Sequence, residues 1–188
     1  MAAAAEVGED RARVLFLCTH NSARSQMAEG LLRHMAGDRF EAHSAGTEAT
    51  HVRPLAIRVM EEVGVDISGQ ESKTLERYLN ETFDHVITVC DDANAACPFF
   101  PGARNRLDWS LEDPSRAEGS EEERLAIFRR VRDEIREHIE HELVNKKWSL
   151  TSENTSCTQS RRTTTSAQPL DQRQLHLRGS LGHKRAES

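Results

Sequence analysis

No stretch of this 188-residue chain approaches the ~18 consecutive apolar residues of a membrane-spanning helix, so a membrane span is excluded. The opening residues also lack the pattern of a secretory leader, because a short alanine run gives way to Glu6, Glu9 and Asp10. Cysteine is scarce. Four copies without an export signal are expected as reduced thiols rather than as a disulfide framework. No internal repeat is present. These absences lead to the expectation of a cytoplasmic chain with one domain and an appendage.

The net charge of −6 hides a division. Residues 145–188 hold eight Lys/Arg against three acids, a charge of +5, which leaves −11 on residues 1–144. Neutralising nucleic-acid phosphates needs concentrated positive charge, so an acidic body argues against a nucleic-acid partner. The basic segment holds 13 Ser/Thr and shows no apolar periodicity, and it cannot bury enough surface to offset the entropy of ordering. The expected organisation is a flexible N-terminus over 1–12, a catalytic domain over 13–144 and a disordered basic tail over 145–188.

Short apolar runs and helical spacings alternate along the body. Val14-Leu15-Phe16-Leu17 predicts a buried strand ending at Cys18, and Met27, Leu31 and Met35 predict a helix from Ser25 to Met35. Phe40–Ser44, His85–Cys90 and Arg104–Trp109 read as three further strands. Pro54 opens a second helix closed by Gly64. Leu125, Phe128, Val131, Ile135 and Ile139 predict a long helix from Ser120 to about Glu142, with Ser120 and Glu123 as a capping box. The expected fold class is therefore α/β, a single-domain, four-stranded parallel sheet with helices on both faces. Sites in such sheets lie beyond the carboxyl ends of the strands, where Cys18 and Cys90 are both expected.

Between the first strand and first helix runs Cys18-Thr19-His20-Asn21-Ser22-Ala23-Arg24-Ser25. Five residues between a cysteine and an arginine allow the loop to wrap a tetrahedral oxyanion with successive backbone N–H groups, aided by the helix N-terminus. Arg24 can fork onto two anion oxygens. Cys18, facing that electropositive pocket, becomes a nucleophile, and Ser25 is placed to donate to its thiolate. The bland alternative is an inert buried cysteine beside a solvated arginine.

Six residues separate Cys90 from Cys97, too many for a C-x-x-C redox turn and unlike paired zinc ligands. A helical segment between them would set the sulfurs about 10 Å apart, so a disulfide there requires unwinding. Two unrelated thiols remain the competing reading. Asp113, stiffened by Pro114, is a candidate general acid for a leaving oxygen, although Asp-Pro is also a common turn. Cys157 lies in the tail as a bystander, and Tyr78 and Trp109 read as packing residues.

Cys18 to Ser25, the following Gln26-Met27-Ala28-Glu29-Gly30, Ser44-Ala45-Gly46, the Cys90–Pro98 segment and Asp113-Pro114 together resemble the thioredoxin-coupled arsenate reductases. That family shares its fold with the low-molecular-weight protein tyrosine phosphatases. The resemblance spans about Arg13 to His141 and implies a cycle. Arsenate binds in the loop of Thr19, His20, Asn21, Ser22, Ala23 and Arg24, and Cys18 attacks arsenic while Asp113 helps water leave. Cys90 then attacks Cys18 and arsenite departs. Cys97 attacks Cys90, and thioredoxin reduces the resulting disulfide. The implied protein is an arsenic-detoxifying monomer with no bound cofactor or metal and with thioredoxin as its partner.

Three departures from the family bear on the site. His20 stands where glycine is usual, and Ala23 where some relatives carry another cysteine. Some relatives bind potassium beside the loop. Asn21, Glu29 and Ser44 match its ligands, while Lys73 falls where a carboxylate would sit, so its ammonium is expected to replace the ion. The rivals are a tyrosine phosphatase on the same fold, a non-enzymatic oxyanion or redox sensor, and a reductase served by a small thiol such as mycothiol.

Overall fold

The computed structural model describes residues 11–90 and 100–146. Four strands, β1 (Ala12–Cys18), β2 (Phe40–Gly46), β3 (Phe83–Thr88) and β4 (Ala103–Asp108), form one parallel sheet in the order β2-β1-β3-β4. Winding proceeds outward from β1 to β2, then returns across β1 to β3. The reversal opens a crevice between the carboxyl ends of β1 and β3, as in other open α/β sheets. Cys18 is the last residue of β1, and Cys90 follows the end of β3 by two residues.

The expected last strand position for Cys90 is therefore corrected: pairing of β3 with β1 stops at Thr88 opposite Leu17. One further backbone bond, from Val89 N–H to the Leu17 carbonyl, carries the chain out of the sheet. Cys90 thus sits in the loop at the crevice rather than in the ladder.

Alternate residues of β1 feed opposite layers, as a strand's period of two requires. Val14, Phe16 and Cys18 join one core cluster with residues of α1 (Arg24–Ala36), α2 (Pro54–Glu61) and α3 (Glu121–His138). Leu15 and Leu17 join Ala45, Tyr78, Phe83, Val86 and Phe100 on the other face, where a 3₁₀ turn over Leu75–Tyr78 contributes. Helical segments thus pack on both faces. Neither this turn nor a second one at Pro114–Arg116 is apparent from apolar periodicity, since each is too short to show a period.

Helix ends follow their local chemistry. The Ser120 hydroxyl accepts from the Glu123 amide while the Glu123 carboxylate accepts from the Ser120 amide, completing the expected capping box. After α2, Val65 N–H bonds the Met60 carbonyl and Gly64 N–H bonds that of Glu61, with Gly64 at φ +76°. This left-handed closure is the position where glycine is least strained. Beyond α3 the chain continues as a single π-helical stretch, Ile139–Val144, so the α-helical hydrogen bonding ends earlier than the apolar spacing indicates. The expected divisions at 12/13 and 144/145 rest on composition, and residues 1–10 and 147–188 lie outside the described residues.

His85 is the buried titratable group of β3, only 3% exposed. Desolvation pushes its imidazole pKa below the usual value, Asp84 opposes that shift and Lys146 reinforces it. A base whose folded-state pKa is depressed binds protons more tightly when unfolded. Its contribution is therefore fully present above about pH 6.5 and is lost as pH falls toward the folded-state value. Thermal unfolding followed from pH 7.5 to 5 should show falling stability, and His85→Gln should flatten that slope.

Candidate active site

The Cys18–Arg24 loop is shaped by where its carbonyl groups go. The Cys18 carbonyl accepts from Thr47 N–H, and that of Thr19 from Glu48 N–H and the Thr47 hydroxyl. The His20 carbonyl accepts from the Ser72 and Thr50 hydroxyls, and that of Asn21 from Gln26 Nε2. The Ser22 carbonyl accepts from Arg53 N–H and that of Ala23 from Met27 N–H. Every carbonyl is thus held by a group beyond the loop or by the helix that follows it. Among the described residues, no backbone or side-chain acceptor takes the amides of His20, Ser22 and Ala23. Ser22 and Ala23 are buried, and buried amides need partners, so the arrangement suits an acceptor-rich ligand.

Helix α1 adds to that demand. Its N-cap residue Ala23 makes no side-chain cap, and its first turn contains no acidic residue, leaving the positive end of the helix for an anion.

Asn21 holds the loop together. It adopts φ +46°, a left-handed conformation that asparagine tolerates better than most residues. Its backbone N–H donates to Cys18 Sγ at 3.1 Å. Its Nδ2 donates to Ser25 Oγ and Ser44 Oγ, both at 2.9 Å. Its Oδ1 accepts from Gln26 Nε2 at 2.8 Å and from Lys73 N–H at 2.7 Å. Ser25 Oγ lies 2.9 Å from Cys18 Sγ, so the hydroxyl that accepts from Asn21 is free to point its proton at the sulfur. Two donors therefore converge on the Cys18 sulfur, an arrangement that suits a thiolate.

The same network reaches a buried charge cluster. Ser44 Oγ donates to Glu29 Oε2, which is also 3.2 Å from Lys73 Nζ, while Arg33 NH2 meets Glu29 Oε1 at 2.6 Å. Glu29 and Lys73 side chains are only 5% and 11% exposed. With the Lys73 ammonium against the carboxylate, these residues do not fit a monovalent cation at the same oxygen. Among the described residues no cluster of metal-ligating side chains is found.

Across the crevice, Arg24 donates through NH1 to the Leu111 carbonyl at 2.9 Å and faces Asp113 Oδ2 through NH2 at 3.1 Å. Both side chains are more than nine-tenths buried. Thr19, Arg24, Cys90, Asp113, Ser115 and Arg116 line one cavity of about 610 Å³. Cys90 Sγ is 4.0 Å from Thr19 Oγ1 at the edge of the loop. The exposed His20 imidazole stands on the rim, 3.7 Å from Glu48.

The fold therefore assembles Cys18, Thr19, His20, Asn21, Ser22, Ala23, Arg24, Ser25, Cys90 and Asp113 around the β1/β3 crevice. Cys97 and Cys157 lie outside the described residues. Trp109 is buried, stacked on His138 and tilted against Phe16, and Tyr78 packs edge-on against His43 and Phe83. Sequence patterns miss Ser72, Thr47 and Thr50, which orient the loop from segments distant in the chain. They also miss the reason for Gly46: a Cβ there would lie 2.6 Å from the Thr19 carbonyl oxygen and 2.8 Å from the Asn21 nitrogen. Gly46→Ala should displace the loop, costing about 1–3 kcal/mol of stability as overpacking does. Oxyanion affinity, measured by titration with inorganic phosphate, should fall at least tenfold.

Comparison with known proteins agrees with this geometry. Residues 13–153 match the low molecular weight phosphotyrosine protein phosphatase family. An arsenate reductase of Halalkalibacterium halodurans is 48% identical over 126 residues, covering 67% of this chain and 91% of that one. An arsenate reductase structure in the phosphate-binding state aligns at TM-score 0.60 with 38% identity, over 69% of this chain and 94% of that chain. A thioredoxin-dependent arsenate reductase of Corynebacterium glutamicum aligns at TM-score 0.53 with 34% identity, over 71% and 62% of the two chains. The oxyanion loop, its position at the β1/β3 crevice and these similarities together place the chain in the low molecular weight phosphotyrosine protein phosphatase family, similar within it to arsenate reductases.

Proposed function

We propose that this protein reduces arsenate to arsenite, using the Cys18 loop as the oxyanion site and an external dithiol as reductant. The observation that carries the proposal is the second thiol. Cys90 lines the same cavity as Arg24 and Asp113, where ester hydrolysis requires only the nucleophile, the arginine and the acid. Phosphate and arsenate are nearly isosteric, so the cradle alone does not discriminate between them.

In the first step the Cys18 thiolate attacks As(V). An As–S bond forms and one As–O bond breaks, the oxygen leaving as water with a proton from Asp113. The Cys90 thiolate then attacks Cys18 Sγ, forming an S–S bond, and the electron pair of the As–S bond passes to arsenic. Arsenic becomes As(III) and leaves as arsenite. Cys97 next attacks Cys90 and releases Cys18 as thiolate, and thioredoxin returns two electrons to the Cys90–Cys97 disulfide. Each exchange needs a thiolate within reach of the sulfur it attacks. The similarity to a thioredoxin-dependent enzyme supports that reductant over a small thiol. A monomer in the cytoplasm fits the proposal, and no helix among the described residues is long and apolar enough to cross a membrane.

The test couples arsenate-dependent NADPH consumption to thioredoxin and its reductase. Cys18→Ser and Cys90→Ser should show no turnover, while Cys97→Ser should release about one equivalent of arsenite and stop. Sustained turnover by Cys97→Ser would remove the relay. Rapid hydrolysis of aryl phosphates with no arsenate-dependent oxidation would favour the phosphatase instead.

We also propose that the Lys73 ammonium serves in place of a potassium ion beside the loop, because it already neutralises Glu29. Replacing sodium with potassium at constant ionic strength should leave activity unchanged. Lys73→Gln should lower stability by about 2 kcal/mol, as loss of a hydrogen bond to a buried charged group does. A saturable activation by potassium in the unaltered protein would overturn this assignment.

A further inference from the structure

Asp113 is held by more than its own backbone. It caps the 3₁₀ turn Pro114–Arg116, with Oδ1 accepting from the Ser115 amide at 3.1 Å. The Ser115 hydroxyl donates to the same oxygen at 2.6 Å. The other oxygen, Oδ2, faces Arg24 at 3.1 Å and Arg116 at 3.7 Å. The two oxygens are thus divided in function. Oδ1 belongs to the turn, and Oδ2 belongs to the cavity that holds Cys18's loop arginine. Rotation of the carboxyl group would break both bonds from Ser115 and turn Oδ1 toward the guanidinium.

We infer that Ser115 is a positioning residue for the proton-transfer step, its hydroxyl fixing Asp113 so that Oδ2 delivers the proton to the departing oxygen. The inference rests on Asp113 as the acid of the proposed reaction. As the proton leaves Oδ2, negative charge spreads to Oδ1, where a short hydroxyl bond strengthens with the developing charge. An interaction that grows along the reaction path lowers the barrier without tightening substrate binding. The amide of Ser115 keeps the turn in place whatever side chain follows, so the hydroxyl is separable from the fold.

The experiment is single-turnover release of arsenite by the fully reduced protein without thioredoxin, across a range of arsenate concentrations. Threonine and valine have nearly the same shape, so Ser115→Thr and Ser115→Val isolate the hydroxyl. The valine variant should react about tenfold more slowly with an unchanged half-saturating arsenate concentration, and the threonine variant should stay within about threefold of the parent. In an Asp113→Ala background, which should itself be slowed about a hundredfold, Ser115→Val should change the rate by less than twofold.

Equal rates for the threonine and valine variants would overturn the inference while leaving Asp113 in its role. An equal slowing by Ser115→Val with and without Asp113 would overturn it too, because the hydroxyl would then act elsewhere. If Asp113→Ala reacts at the parental rate, the acid assignment itself fails and the role of Ser115 fails with it. Thermal melting of each variant separates these results from unfolding, and Ser115→Ala supplies a second hydroxyl-free side chain if valine is not tolerated.

Discussion

Asn21 satisfies every hydrogen-bonding group it has, and the oxyanion loop depends on that saturation. Its side chain ties the loop to Ser25 and Ser44, its oxygen is fixed by Gln26 and Lys73, and its amide reaches the Cys18 sulfur. A residue with both an amide donor and an amide acceptor is needed there, since a carboxylate would offer no donor to the two hydroxyls. Left-handed backbone at this position lets the loop reverse tightly while its carbonyls turn outward. The loop's own carbonyls are thus all engaged away from the cavity, which leaves its donors to face it.

From Asn21 the network runs in two directions. One branch passes through Ser25 to the Cys18 sulfur. The other passes through Ser44 to Glu29, where Lys73 and Arg33 balance a carboxylate that would be costly to bury alone. The thiol environment is thus linked to a buried ion pair through an unbroken chain of hydrogen bonds. On the opposite wall, Arg24 joins the loop to Asp113 and the Leu111 carbonyl. Arg24 therefore ties the loop that begins at Cys18 to the turn that begins at Asp113.

Much of the fold was legible in the sequence. An apolar run of four residues marked β1, Val86, Ile87 and Val89 marked β3, and the i/i+4 spacing of Met27, Leu31 and Met35 marked α1, because burial demands these patterns locally. Strand ends were less legible. Cys90 reads as a continuation of an apolar strand, yet β3 stops at Thr88 once its partner β1 gives way to the loop. Short 3₁₀ turns left no periodic signal, and one of them is capped by Asp113. The Ser115 contact was hidden for the same reason: a hydroxyl beside an Asp-Pro pair acquires meaning only when the turn geometry aims it at one carboxylate oxygen.

The sequence by itself determined the order of strands and helices, the cysteine-to-arginine loop and the separation of an acidic body from a basic tail, since composition and short-range spacing encode these directly. Only the tertiary structure decided that Thr47, Thr50 and Ser72 draw the loop carbonyls outward, that Gly46 must lack a side chain, and that Arg33 joins Lys73 on Glu29 behind the loop. These relations join residues far apart in the chain, and their directions depend on how β1, β2 and the segments after them pack. Local spacing carries no record of such angles. The chemistry of the candidate site was written in residue types, and its geometry in the packing that brings them together.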